Sequence, residues 1–192
     1  MPEDGKGLLY YKRVQHFNIP GHVHFLTFSC YHRLPLLAND LWRTWLAEII
    51  RHNCDRHALA LWAYVFMPEH VHLLVKPKNQ PYDVAVWLKG IKGAAAKRVV
   101  NDLRRVGSPL LDKLRVTPRA GHGLYRFWQA GPGFDKNIWD MALAVEKAQY
   151  CHRNPVKRNL VRDPVQWPWS SFRWLEMGVR EGEPLKVDDW LE

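Results

Sequence analysis

The 192 residues predict an α+β fold, an antiparallel central sheet with helices packed against it, and three observations carry that expectation. Hydrophobic residues make up 47% of the chain and aromatics 12%, enough for one core of ordinary domain size. The apolar pattern alternates between a period of two and a period near 3.6, in the order strand, helix, strand, strand, helix, strand, helix. The second and third strand segments are separated by a turn of two residues, which forces them antiparallel.

Residues 1–21 are polar and without periodicity, and read as an N-terminal arm. His22 to Cys30 is rich in Val, Phe, Leu and Thr and reads as the first strand. In Asn39 to His57, Leu41, Trp45, Leu46, Ile49 and Ile50 recur at helical spacing, with Asn39 or Asp40 as N-cap. Leu59 to Met67 is the second strand, Pro68-Glu69 the turn, and His70 to Lys76 the third strand. Tyr82 to Val106 is helical, with Val84, Leu88, Ile91, Ala95 and Val99 on one side. Gly107 to Gly123 is a basic connection, and Leu124 to Gln129 is the expected fourth strand. Ile138 to Arg153 is a long helix that Pro155 should end. This order is the β-α-β-β-α-β pattern of ferredoxin-like, RRM-like folds with an added C-terminal helix. That topology puts the first and third strands in the middle of the sheet. Residues 22–175 form the expected domain and 176–192 an acidic tail.

The formal net charge is +9, which points to a polyanionic partner. From Lys89 to Arg126 there are ten Lys/Arg against two Asp, whereas from Glu176 to Glu192 six acids face two bases. Three widely spaced cysteines, Cys30, Cys54 and Cys151, suit a reducing cytoplasm better than a disulfide framework. No apolar run approaches 18 residues and no signal peptide opens the chain, so membrane insertion is not expected.

Two constellations could carry chemistry. Residues two apart on a strand share a face, so His70 and His72 present two imidazoles side by side, which suits a divalent cation. The same spacing also occurs by coincidence on β-surfaces. Tyr150 and Asn154 lie four apart and share a helix face. If that face meets the sheet, Asn154 offers an oxygen beside the histidines and Tyr150 stands near them. The plainer alternative makes Tyr150 a core residue and Asn154 a C-terminal cap.

Both stretches resemble the REP-associated tyrosine transposases, a branch of the single-tyrosine HUH transposases. Met67-Pro68-Glu69-His70-Val71-His72-Leu73-Leu74 is similar to the family's M-P-x-H-V-H-x-L. Tyr150-Cys151-His152-Arg153-Asn154-Pro155-Val156-Lys157-Arg158-Asn159-Leu160-Val161 is similar to its Y-x-x-x-N-P-V-(K/R)-x-x-L-V. Trp167-Pro168-Trp169-Ser170-Ser171-Phe172 resembles its W-P-W-S-S-(F/Y), and Phe127-Trp128-Gln129 its F-W-Q segment. The likeness runs from about Ile19 to Trp174, and three ordered motifs are far more specific than any one alone.

The resemblance implies that His70, His72 and Asn154 bind Mg²⁺ or Mn²⁺ and that Tyr150 attacks a phosphodiester of single-stranded DNA. It implies a 5′-phosphotyrosine, rejoining by a 3′-OH, and a hairpin-bearing repeat as substrate. The covalent link conserves the phosphodiester energy, so joining needs no nucleotide cofactor. Lys92, Arg98, Arg104, Arg105, Arg126 and Lys157 are candidates for tracking the DNA backbone, and Trp128, Tyr125 and Phe127 for stacking on bases. A cytoplasmic, nucleoid-associated protein, a monomer or a homodimer, fits this picture. The acidic tail is expected to compete with DNA for the basic surface.

Rival readings differ in named residues. A histidine-triad hydrolase needs a third histidine where Leu74 stands. A relaxase or rolling-circle initiator would share the His pair and tyrosine but not the Trp-Pro-Trp-Ser-Ser segment. The alternative from another class is a catalytically idle nucleic-acid-binding module derived from such a transposase.

Overall fold

The computed structural model describes residues 16–117 and 123–190. Most of the N-terminal arm, part of the basic connection and Glu192 lie outside them. Strand β1 (Val23–Ser29), helix α1 (Asp40–Arg56), strands β2 (Leu59–Phe66) and β3 (His70–Pro77) and helix α2 (Val84–Arg105) follow in the expected order. A short helix α3 (Leu110–Lys113) then leads to strand β4 (Phe134–Ile138), helix α4 (Met141–Lys157) and helix α5 (Phe172–Met177). The sheet order is β2-β3-β1-β4, all neighbours antiparallel, so β1 and β3 are central as the topology requires.

Local chemistry sets the element boundaries. The Asn39 side chain accepts the Trp42 N–H and caps α1, and Asp83 and Asp140 do the same for α2 and α4. Alternation along β1 and β3 divides two cores. Leu26, Phe28, Val71, Leu73 and Val75 pack under α1 and α2 through residues such as Leu46, Ile50, Trp87 and Ile91. Val23, Phe25 and Leu74 face the other way, against Ala144, Ala148 and Cys151 of α4. Helices α1 and α2 thus cover one face and α4 the other. Strand β2 is buried along its whole length because both its faces are covered, which explains its unbroken apolar run.

Two boundaries depart from the sequence reading. The segment 124–129 is not a strand but makes only single bridges, Tyr125 to Arg115 and Trp128 to Cys30. Its aromatics mimic a strand in composition, but Phe127 and Trp128 are plugs for the core under α1 and α2. The true fourth strand is the polar Phe134–Ile138, paired through Val23↔Ile138 to Thr27↔Phe134. Gly133, with φ 84°, makes the entry, and a Cβ there would collide with the Thr27 carbonyl oxygen. Helix α4 also continues through Pro155 to Lys157. Pro155 falls in the last turn, where one missing N–H is tolerated. Beyond it the Arg158 N–H bonds the Asn154 carbonyl and the Leu160 N–H the Pro155 carbonyl.

The free edge of β2 is closed by segments after α4. The Phe66 N–H donates to Trp169 O at 2.8 Å, and Trp167 Nε1–H to Phe66 O at 3.1 Å. Ser171 Oγ accepts the Tyr64 N–H at 3.0 Å. The acidic tail continues along this edge. The Asp188 carboxylate accepts the Leu61 N–H at 2.8 Å and pairs with Arg51 and Lys78, and Trp190 stacks on Trp62 at 5.0 Å. Leu185 and Val187 are buried in the main core. Truncation after Met177 is therefore expected to lower stability by about 3–6 kcal/mol, from two buried aliphatic side chains alone. A urea midpoint unchanged by truncation would contradict this role for the tail. Any gain in DNA affinity must be separated from that loss.

Candidate active site

The site lies on the sheet face that α4 covers. Register sets His70 opposite Ser29 and His72 opposite Thr27, so the four side chains share one face across the two central strands. Helix α4 brings Tyr150 and Asn154, one turn apart, over that face. Both motifs come from one chain.

The two imidazoles converge through their Nε2 atoms, 3.1 Å apart, with rings nearly perpendicular at 85°. Asn154 Nδ2 is 3.1 Å from His72 Nε2. Which amide atom faces the ring is an assignment, and turning the amide over puts Oδ1 there instead. On the far side of each ring, His70 Nδ1 lies 3.0 Å from Glu69 Oε1 and His72 Nδ1 lies 2.7 Å from Thr27 Oγ1. With Nδ1–H donated outward, each Nε2 directs a lone pair inward. Oriented by outer partners in this way, two imidazoles and an amide oxygen fit a divalent cation. Burial, and secondarily the neighbouring His70, pushes His72 down to about 3 and so keeps it neutral. Burial also lowers His70, against the opposing pull of Glu69. Among the described residues no three His, Cys, Asp or Glu side chains gather in a group that could hold a metal.

Tyr150 stands beside this group with its ring 38% exposed. It meets His72 edge-on at 5.3 Å and Phe25 at 5.9 Å, and Lys157 Nζ lies 5.0 Å from its ring centre. Clefts open on both sides of it. One of about 290 Å³ runs between Thr27, His70, Asn154, Lys157, Arg33 and Arg158. The other, about 400 Å³, is lined by Phe25, Phe134, Lys136 and Lys147. A strand could pass from one to the other across the phenol.

The structure thus unites His70, His72, Tyr150, Asn154 and Lys157. The other candidates for DNA contact lie elsewhere. Arg98 pairs with Glu48 at 2.6 Å and Arg105 with Asp102 at 2.8 Å, both on the face covered by α1 and α2. Arg104 packs over Tyr125 at 5.1 Å. Lys92 donates to Gly131 O at 2.9 Å, with its ammonium pushed down by burial. Lys92 and Arg126 border a separate cleft of about 460 Å³ between α2 and residues 125–132. Trp128 is 6% exposed and donates Nε1–H to Lys92 O at 2.9 Å, and Phe127 is 1% exposed, so both are core residues rather than stacking platforms. Sequence reasoning missed Thr27, Glu69, Arg33 and Arg158. Only the cross-strand register and the return of α4 bring them to the site.

His152, on the far side of α4, anchors the helix through Ser171 Oγ at 3.0 Å, and burial pushes it down to about 4. His72 and His152 stay neutral in the fold while unfolded histidine protonates near 6.5. Between those values the unfolded chain binds more protons, so stability is full above about pH 6.5 and falls as the pH drops toward 4. The expected loss at pH 5 is about 2 kcal/mol per buried histidine. Urea unfolding at pH 7 and pH 5 measures it, and His152→Gln should reduce the difference. A pH-independent midpoint would contradict the burial argument.

Comparisons with known proteins find likeness in sequence and in fold. The family model described as "Transposase IS200 like" matches residues 19–111. A Haemophilus influenzae protein named "Putative REP-associated tyrosine transposase" is 24% identical over 123 residues, and the match spans 64% of this chain and 64% of that relative's length. The solved structure of a REP-associated tyrosine transposase bound to a REP hairpin superposes with a TM-score of 0.65 at 19% identity, covering 93% of each chain. The likeness in fold covers 93% of the chain and so extends beyond the residues that the family model matches. The chain is thus similar to the IS200-like transposases over residues 19–111 and shares the fold of a REP-associated tyrosine transposase.

Proposed function

We propose that this protein nicks and rejoins single-stranded DNA at hairpin-bearing repeats, with Tyr150 as nucleophile. The observation that carries the reading is the packing of Tyr150 against His72 at 5.3 Å, with His70 Nε2 and Asn154 Nδ2 each 3.1 Å from His72 Nε2. An inert core tyrosine would not need a phenol open to two clefts, and a binding module would not need inward-facing imidazole lone pairs. The hairpin in the related solved structure supports a hairpin-bearing substrate.

His70, His72 and Asn154 would hold Mg²⁺ or Mn²⁺. When bound, the cation supplies charge stabilisation for a non-bridging phosphate oxygen. The chain's own groups do the rest. The Tyr150 oxygen attacks phosphorus as its phenolic proton passes to solvent, the bond from phosphorus to the 3′-oxygen breaks, and that oxygen leaves as a 3′-OH after taking a proton from solvent. Lys157, with Nζ 5.0 Å from the centre of the phenol ring, would offset negative charge building on the phosphate. Thr27 and Glu69 fix the two imidazoles. Attack by a 3′-OH on the phosphotyrosine reverses the step and joins strands. Three neutral ligands leave the cation's charge for an anionic substrate.

Joining is the decisive test. Wild-type protein with a repeat-derived oligonucleotide and a second, labelled oligonucleotide ending in 3′-OH should yield a longer labelled product with Mn²⁺ and no nucleotide cofactor. Hydrolysis products alone, with two free ends and no transfer, would contradict a phosphotyrosine route.

A further inference from the structure

A buried carboxylate beside the histidine pair organises cations that the proposed reaction has not used. Glu69 immediately precedes the His-x-His pair, and its side chain is 9% exposed. It is the shared acceptor of three donors: His70 Nδ1 at 3.0 Å, Arg158 at 2.9 Å and Arg33 at 3.5 Å. The two guanidiniums come from opposite walls. Arg158 follows the last residue of α4. Arg33 sits after β1 on a tight turn in which His32 and Arg33 both hold left-handed φ angles of 50° and 54°. Non-glycine residues adopt that conformation at a cost, and two in succession aim Arg33 back across the cleft mouth. Their side chains remain 62% and 50% exposed, and each meets Glu69 through one terminal nitrogen only, so both keep N–H groups for a ligand. Arg33, Arg158 and Lys157 all line the cleft of about 290 Å³.

We propose that Arg33 and Arg158, held by Glu69, form a subsite for one phosphodiester adjacent to the phosphate that Tyr150 attacks. The ligand class is a backbone oxyanion of single-stranded nucleic acid. Guanidiniums bind phosphate oxygens through paired N–H groups, and two of them held at one carboxylate bring such donors together. Glu69 is a positioning residue: it touches no substrate and spaces the guanidiniums while it fixes the His70 tautomer. The subsite rests on the proposed reaction for its location, not for its chemistry.

The test uses full-length protein carrying Tyr150→Phe, without metal, and fluorescein-labelled single-stranded oligonucleotides from repeats flanking the gene. Adding Arg33→Ala and Arg158→Ala together should weaken binding about tenfold at 100 mM salt. It should also lower the slope of log affinity against log salt by about 0.7, the value for one phosphate on a single strand. A methylphosphonate moved along the oligonucleotide should weaken binding to the parent about tenfold at one position and have no further effect there in the double variant. Glu69→Ala keeps both guanidinium charges, so it should weaken binding with the slope retained, and Glu69→Gln, which keeps an acceptor oxygen, should recover part of the loss. Additive effects of methylphosphonate and arginine removal at every position, or an unchanged slope, would overturn the subsite. Covalent adduct formation by the protein with an intact Tyr150 is scored separately. An adduct without the position-specific non-additivity removes the subsite alone. Non-additivity without any adduct removes the proposed reaction alone.

Discussion

Tyr150→Phe is expected to abolish covalent capture of single-stranded DNA, a loss on the order of 10³-fold or more, while fold and DNA affinity stay near wild type. The asymmetry follows from what the residue contributes. Its ring packs edge-on against His72 and Phe25 and lies near Lys157, and phenylalanine keeps all three contacts. Only the hydroxyl is lost, at a position already 38% exposed, so no buried polar partner is stranded. Circular dichroism, thermal unfolding and oligonucleotide binding should match the parent protein. A denaturing gel should show no protein–DNA band. A variant that still forms the adduct would place the nucleophile elsewhere.

Removal of the paired histidines should be nearly as severe and should be read first through the cation. His72 is the centre of the site, within 3.1 Å of both His70 and Asn154 and 2.7 Å from Thr27. His72→Ala should remove measurable Mn²⁺ binding by calorimetry and reduce adduct formation by on the order of 10²-fold or more. A subtler variant separates orientation from ligation. Thr27→Val keeps the strand and its size but takes away the acceptor of His72 Nδ1–H. Loss of such an outer partner typically weakens metal affinity 10–100-fold. If Thr27→Val binds Mn²⁺ as tightly as wild type, the oriented-lone-pair account of the site fails even if His72→Ala is inactive.

Much of this site was legible before any coordinates, and the reason is local. A period of two sets His70 and His72 on one face, and a spacing of four sets Tyr150 and Asn154 on another. The topology of alternating strands and helices puts the histidines on a central strand. The motifs then say that the two faces meet. What sequence could not reach is set by register and return. Thr27 serves His72 only because β1 and β3 pair Thr27↔His72. Glu69 reads as a turn residue, yet its carboxylate is buried because Arg158 and Arg33 come back to it from 89 and 36 positions away along the chain.

The fold shows the same division. Long amphipathic helices and the β2–β3 hairpin were placed to within a few residues. The fourth strand was not, because Phe127 and Trp128 look like strand residues and serve as core plugs, whereas the real strand carries Asp135 and Lys136 at an edge. The charge divides in a related way. The basic residues from Lys89 to Arg105 lie on α2, which packs on the sheet face away from the histidines. The cations nearest the site, Lys157, Arg158 and Arg33, are scattered through the chain.

The most direct test of the central claim is to map the covalent bond. Wild-type protein incubated with Mn²⁺ and a repeat-derived single-stranded oligonucleotide should be digested with nuclease and protease and examined by mass spectrometry. The account predicts one modified peptide, with a nucleotide joined through its 5′-phosphate to Tyr150. A nucleotide attached to another residue, or cleaved DNA with no modified peptide, would contradict it.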